Sequence, residues 1–251
     1  MKKPQKMRLD KILVLQGFAK NRSQAEAMVM SGCIFSGDNC LNKSGHHFSK
    51  SIELEIRGKP HFWVSRGGVK LNHAIDTFNI NPEGRICADL GASTGGFTDV
   101  LLYYGAATVY AVDVGYGQLA WKLRTNKRVI VLDRTNARNL SEVQIAEKLD
   151  FLVVDVSFIS LEKVLMPALN LMGTKAELVA LIKPQFEVTK AQVGKGGVVR
   201  SAEIHKIVCD KVSNWISNIP KWKTINVIKS PISGPAGNIE FLLYAKRHGG
   251  I

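Results

Sequence analysis

Apolar positions recur at helical spacing in the opening part of the chain and later gather into strand-length blocks, so the pattern describes two differently built parts. From Arg8 to about Ser31, Leu9, Ile12, Leu13, Phe18, Ala25, Met28 and Val29 keep the helical period, with a break at Gly17. Two short helices are predicted. Ser23 is expected to cap the second, its hydroxyl accepting from the N–H of Glu26, whose side chain can reach back. Gly32 is expected to end that helix. Ile34 and Phe35, then Ile52, Leu54 and Ile56 alternating with Glu53 and Glu55, predict short strands around a polar loop.

His61-Phe62-Trp63-Val64-Ser65-Arg66-Gly67-Gly68 reads as a linker, with paired glycines suited to a hinge. The expected division is a small basic unit over 1–60, a linker over 61–69 and a large unit over 70–251. In the large unit, apolar blocks at Ile86–Leu90, Val109–Asp113, Val129–Leu132, Phe151–Asp155 and Leu178–Ile182 alternate with helix-compatible stretches. Blocks of that kind predict an α/β fold with a mostly parallel sheet covered on both faces. Lys223–Lys229 and Ile239–Ala245 meet across a Pro/Gly turn at Pro231–Gly237 and predict an antiparallel C-terminal edge. No internal repeat or low-complexity tract interrupts this order.

Composition narrows the class. The 251 residues are 45% hydrophobic, enough for a substantial core, yet the longest apolar runs fall far short of the roughly 20 residues of a membrane span. Lys2, Lys3 and Lys6 precede an apolar run, Ile12–Leu15, that is too short for a signal peptide. Cys33, Cys40, Cys87 and Cys209 form no Cys-x-x-Cys pair, and the expectation is a reduced, cytoplasmic protein. Cys33, Cys40, His46 and His47 match no zinc spacing, so no metal site is expected.

Charge points to a polyanion. Lys and Arg outnumber Asp and Glu by 34 to 21, and residues 1–70 carry a net +8 against +5 for the remainder. Nucleic acid is favoured over a membrane surface, because no amphipathic lipid-binding helix is evident.

The chemistry begins at Ala88-Asp89-Leu90-Gly91-Ala92-Ser93-Thr94-Gly95-Gly96-Phe97-Thr98, where an apolar run delivers an acid into a glycine-rich turn that opens a helix. Glycines there allow close backbone approach to a ligand, and the helix start offers free N–H groups. The spacing is not the Gly-x-Gly-x-x-Gly of dinucleotide sites. Asp113 ends the next block 24 residues after Asp89, where a carboxylate can accept from both hydroxyls of a ribose. With no pyrophosphate cradle, an adenosine-bearing cofactor such as S-adenosylmethionine suits the turn better than NAD.

Two resemblances sharpen this reading. Arg8-Leu9-Asp10, Asn21-Arg22-Ser23-Gln24-Ala25 and Met30-Ser31-Gly32 resemble the RNA-binding domain named for ribosomal small-subunit protein four, over roughly residues 7–57. The usual Val-x-Val-Asn-Gly turn is here Ile34-Phe35-Ser36-Gly37-Asp38. That resemblance implies RNA contacts by Arg8, Lys11, Lys20 and Arg22, and Arg66 in the linker joins them. The glycine-rich turn, Val112-Asp113-Val114-Gly115, Arg134-Thr135-Asn136, Asp155-Val156-Ser157-Phe158 and Ile182-Lys183-Pro184-Gln185-Phe186-Glu187 resemble an FtsJ-type S-adenosylmethionine-dependent methyltransferase.

Together the two parts resemble the TlyA (hemolysin A) family of ribosomal RNA 2'-O-methyltransferases. The resemblance implies a Rossmann-like methyltransferase sheet behind a small α+β RNA-binding domain. It implies a cofactor seat of Asp89, Gly91, Ala92, Ser93, Thr94, Gly95, Gly96, Phe97, Asp113, Val114, Arg134, Asn136 and Asp155. It also implies a Lys-Asp-Lys-Glu tetrad at Lys70, Asp155, Lys183 and Glu240. Lys183 is expected to face the 2'-hydroxyl, Asp155 to orient that lysine and the methyl donor, and Lys70 and Glu240 to position the ribose. Ribosomal RNA or ribosomal subunits are the implied partners, with a cytidine in the large and in some members the small subunit as target. Two rivals stand beside this: a membrane-active cytolysin, after the family's other name, and a catalytically silent RNA-binding assembly factor. Gly194-Lys195-Gly196-Gly197-Val198-Val199-Arg200 reads as a mobile basic loop, either an RNA-facing lid or a plain connection, that lacks the ending of a nucleotide triphosphatase loop.

Overall fold

The computed structural model describes residues 6–30, 32–41, 43–57, 63–234 and 236–249, apart from the side chains of Ser23, Ala27 and Met30. His61 and Phe62 of the expected linker lie outside the described residues. The chain divides into two compact units, Met1–Arg66 and Gly67–Ile251.

The first unit runs β1 (Lys6–Arg8), α1 (Leu9–Leu15), α2 (Arg22–Met30), β2 (Ile34–Ser36), β3 (Asn39–Cys40), β4 (His47–Ser49) and β5 (Glu55–Ile56). Both helices fall where the period places them, and Leu9, Leu13, Ala25, Val29, Cys33 and Ile34 form the core between them and the β2 hairpin. Full burial of a Leu or Ile contributes roughly 1.5–3 kcal/mol, and a unit this small relies on such residues. The second helix starts earlier than expected. Asn21 Oδ1 accepts from Gln24 N–H at 2.9 Å and Gln24 Oε1 accepts from Lys20 N–H at 2.8 Å, so a reciprocal cap forms around Asn21; the expected cap by the Ser23 hydroxyl lies outside the described residues. Gly32 follows the helix with φ +66°, as expected of a glycine stop. The strand expected from Ile52 to Ile56 is reduced to Glu55–Ile56, which pairs with β2. The pairing of β1 with β4 had no signal in the pattern.

The second unit is an α/β domain: α3 (Gly67–Phe78), β6 (Ile86–Leu90), α4 (Gly96–Tyr103), β7 (Thr108–Val112), α5 (Trp121–Arg124), β8 (Val129–Leu132), β9 (Leu149–Val154), α6 (Leu161–Asn170), β10 (Met172–Ile182), α7 (Pro184–Glu187), α8 (Ala202–Ser217), β11 (Trp222–Lys229) and β12 (Phe241–Arg247). Seven strands form one sheet in the order β11-β12-β10-β9-β6-β7-β8. The five from β8 to β10 are parallel, and β12 and β11 add the antiparallel edge. Gly67 and Gly68, expected in a linker reaching residue 69, instead make the first turn of α3. The helix carries Leu71, Ala74 and Ile75 on its buried face, and extending it through the glycines brings Lys70 onto that face as well.

Candidate active site

Strand register gathers the functional residues. Leu90 pairs with both Val112 and Val154, Val154 pairs with Ala180, and Ile182 pairs with Phe241. The residues just past these ends, Asp113, Gly91, Asp155 and Lys183, therefore stand side by side, with Glu240 just before β12 completing the row. This is the carboxyl edge of the parallel strands, where β6 has β7 on one side and β9 on the other and open α/β sheets bind their ligands.

At one end of the row two lysines and two carboxylates share a mostly buried cluster. Lys183 Nζ lies 2.5 Å from Asp155 Oδ1 and donates to Ser157 Oγ at 2.8 Å. Lys70, reaching in from α3, donates to Glu240 Oε2 at 2.6 Å and stands 4.0 Å from Asp155 Oδ2. Lys70, Lys183 and Glu240 are buried, whereas the Asp155 side chain keeps 20% of its surface exposed. Glu240 Oε1 is buried without a hydrogen-bond partner and lies against Gly234, where a Cβ would collide with it. All four expected tetrad residues are thus brought together from four separate elements.

Beside them opens a cavity of about 410 Å³. Of the expected cofactor residues, Gly91, Ser93, Asp113, Val114 and Asp155 line it; Asp89, Ala92, Thr94, Gly95, Gly96, Phe97, Arg134 and Asn136 do not. Asp89 lies beneath the turn, fully buried, with Oδ2 accepting from Thr98 N–H at 2.9 Å and Thr98 Oγ1 at 2.7 Å. Burial pushes its carboxyl up to about 7, against the pull of those Thr98 hydrogen bonds. Asp113 accepts from Ser93 N–H at 2.8 Å and Gly115 N–H at 2.7 Å, which leaves a lone pair on each oxygen for a ligand. Asn136 Oδ1 instead caps a short turn by accepting from Arg138 N–H, and Arg134 lies over the Tyr116 ring at 4.4 Å.

Sequence reasoning missed much of the lining. Val112, Ala137, Val156, Ile159 and Val164 are its apolar wall, and Gln118, Thr135, Ser157 and Phe158 add to its rim. Ser157 and Thr135 sit inside quoted motifs, so their neighbours were a usable signal; Gln118 follows a loop with no periodicity. Ser93, Arg134 and Phe158 have φ of 49°, 53° and 66° without being glycine. Ser93 and Phe158 border the cavity, and Arg134 directly precedes Thr135, a concentration of strained backbone typical of ligand sites.

A family model described as FtsJ-like methyltransferase matches residues 63–247. The chain belongs to the FtsJ-like methyltransferase family. A second model, described as S4 domain, matches residues 7–49. A 16S/23S rRNA (cytidine-2'-O)-methyltransferase TlyA of Mycobacterium tuberculosis is 43% identical over 240 residues, covering 95% of this chain and 89% of the relative. Hemolysin A of Brachyspira hyodysenteriae is 37% identical over 95% of this chain and 99% of its own length. A solved structure titled as a hemolysin of Streptococcus thermophilus superposes with a TM-score of 0.76 at 39% identity, over 98% of this chain and 90% of that one. Among the described residues, no helix of this methyltransferase is long and apolar enough to cross a membrane.

S-adenosylmethionine, the methyl donor of such enzymes, fits the cavity. Gly91, at φ +81°, lies so close to the Asp155 carbonyl that a Cβ would meet that oxygen at 2.5 Å, so the turn stays open only with glycine. The cavity has the predominantly apolar wall and few polar groups of a nucleoside pocket. Asp113 offers its free lone pairs at the strand end.

The expected RNA-contacting residues are distributed differently. Lys11 and Lys20 are exposed. Arg8 and Arg22 both donate to Asp10, at 2.6 and 3.1 Å, and Arg22 also pairs with Glu26 at 2.9 Å. Asp10 is buried, and the Arg8 hydrogen bond holds its carboxyl down at about 2. Arg66 packs its side-chain carbons over Gly32. Lys195 is exposed on a loop expected to be mobile, but that loop is fastened: Asn238 Oδ1 accepts from Val199 N–H at 3.0 Å and Asn238 Nδ2 donates to Gly197 O at 2.9 Å.

Proposed function

We propose that this methyltransferase transfers a methyl group to a ribose 2'-hydroxyl of ribosomal RNA, at a cytidine as the name of its mycobacterial relative states for that enzyme. The observation that carries this is the cluster of Lys70, Asp155, Lys183 and Glu240 on the rim of a cofactor-sized cavity. Bound in that cavity, S-adenosylmethionine supplies an electrophilic methyl group on a sulfonium sulfur; the rest falls to the chain. Gly91, Ser93 and Val114 hold the cofactor against the turn, and Asp113 accepts from its ribose. Asp89 braces the turn from below, so that Ala92, Thr94, Gly95, Gly96 and Phe97 keep their backbone in place. Arg134 and Asn136 frame the segment that presents Thr135.

Lys183 receives the proton of the 2'-hydroxyl, and Asp155 orients Lys183. Lys70 and Glu240, already paired with each other, form the wall that aligns the ribose. Lys11, Lys20, Arg8, Arg22, Arg66 and Lys195 meet phosphates, with Asp10 holding the two arginines in a fixed direction.

The test is transfer of a labelled methyl group from S-adenosylmethionine to ribosomal subunits and to naked ribosomal RNA, with mapping of the 2'-O-methyl position. Wild type is expected to label one or a few riboses and Lys183→Ala none. Equal background labelling by both proteins sinks the enzymatic reading and favours a silent RNA-binding factor.

A further inference from the structure

Lys183 is held by two acceptors. Asp155 Oδ1 lies 2.5 Å from its Nζ and Ser157 Oγ lies 2.8 Å from it, and only 8% of the lysine is exposed. Ser157 also lines the cofactor cavity, on the loop between β9 and α6. A neutral amine has two N–H donors and one lone pair around a tetrahedral nitrogen, one donor fewer than the ammonium. With Asp155 as sole acceptor, one N–H is placed and the lone pair can occupy either of two remaining positions. A second acceptor takes the other N–H and leaves one position.

We infer that Ser157 is a positioning residue for the methyl transfer, which accepts the second N–H of the Lys183 amine and so aims its lone pair at the ribose hydroxyl. This rests on Lys183 being the group that receives the 2'-hydroxyl proton. In that step the O–H bond breaks and its proton joins the Nζ lone pair, giving the ammonium. The electron pair left on oxygen forms the bond to the methyl carbon, and the carbon's former bonding pair stays on sulfur.

Ser157→Ala in the full chain is expected to lower the plateau of kcat about tenfold, a part of the 10²–10⁴ that a positioned base contributes. Ser157→Thr, which keeps the hydroxyl, is expected to restore it. In the ligand-free protein, exchange of the Lys183 Nζ hydrogens with water, followed by 15N NMR and assigned by their loss in Lys183→Arg, is expected to quicken in Ser157→Ala. Affinity for S-adenosylhomocysteine, measured by calorimetry, should stay within twofold. An unchanged kcat and unchanged Nζ hydrogen exchange, or weaker S-adenosylhomocysteine binding with kcat intact, overturns the role of Ser157 while the base assignment stands. Activity that survives in Lys183→Ala overturns the base assignment and this inference with it.

Discussion

Two glycines of the same turn answer to different neighbours. A Cβ on Gly91 would meet the Asp155 carbonyl oxygen at 2.5 Å, whereas one on Gly95, at φ +95°, would meet the side chains of Leu119 and Leu123. Gly91→Ala is therefore expected to weaken S-adenosylhomocysteine binding more than tenfold in calorimetry, together with a stability loss of about 2 kcal/mol. Within the tetrad, stability and activity should separate. Glu240→Ala leaves the buried Lys70 ammonium without its 2.6 Å partner and should cost roughly 3 kcal/mol in urea unfolding as well as activity. Lys183→Ala strands a carboxylate that still reaches water, and should abolish methylation at a cost nearer 1 kcal/mol. Asp89 brings a pH dependence. Its folded carboxyl titrates at about 7 against 3.8 ordinarily, chiefly through burial, so the folded state binds that proton more tightly than the unfolded one. Its contribution is present below about pH 4 and lost as pH rises through about 7. The urea midpoint should fall between pH 5 and pH 8 in wild type and less so in Asp89→Asn.

At the scale of elements, legibility followed burial. The parallel strands were readable because strands buried on both faces leave continuous apolar blocks, and β10 was readable only in its buried half, since Gly173, Thr174 and Lys175 are partly or fully exposed. β1 and β4 were not readable, because three-residue strands of half-exposed residues carry no alternation. The cap of α2 is ambiguous in the sequence for a related reason. Asn21 with Gln24 and Ser23 with Glu26 have the same spacing, and local sequence cannot choose between them. The Asp10 cluster ties β1 to both helices through Arg8 and Arg22. Asp10→Ala should destabilise this unit by roughly 2 kcal/mol. Since the Asp10 carboxyl is held at about 2 in the folded chain, its contribution is complete above about pH 4 and lost as pH falls toward 2. Acid unfolding followed by circular dichroism should show that limb in wild type and not in Asp10→Ala.

For the whole molecule, charge bears on the proposed RNA partner and the sheet gathers the candidate chemistry. A net charge of +13, with +8 of it in residues 1–70, makes RNA affinity depend on salt. Lys11→Glu and Lys20→Glu should each flatten the plot of log affinity against log salt by about one unit in filter binding, with little change in kcat. By itself the sequence determined the two-part organisation, the succession of strand blocks along the chain and the glycine-rich turn, because periodicity and glycine spacing are local properties; the tetrad came only from the resemblance to a known family. Only the tertiary structure decided that Lys70 and Glu240, 170 positions apart, share a 2.6 Å ion pair, that Asp89 braces the turn rather than lining the cavity, and that Ser157 stands against Lys183. The ion pair depends on β12 entering the sheet beside β10 with Phe241 opposite Ile182, and the Ser157 contact on β9 lying beside β10 with Val154 opposite Ala180. Register of that kind comes from packing between distant segments, and no local pattern encodes it.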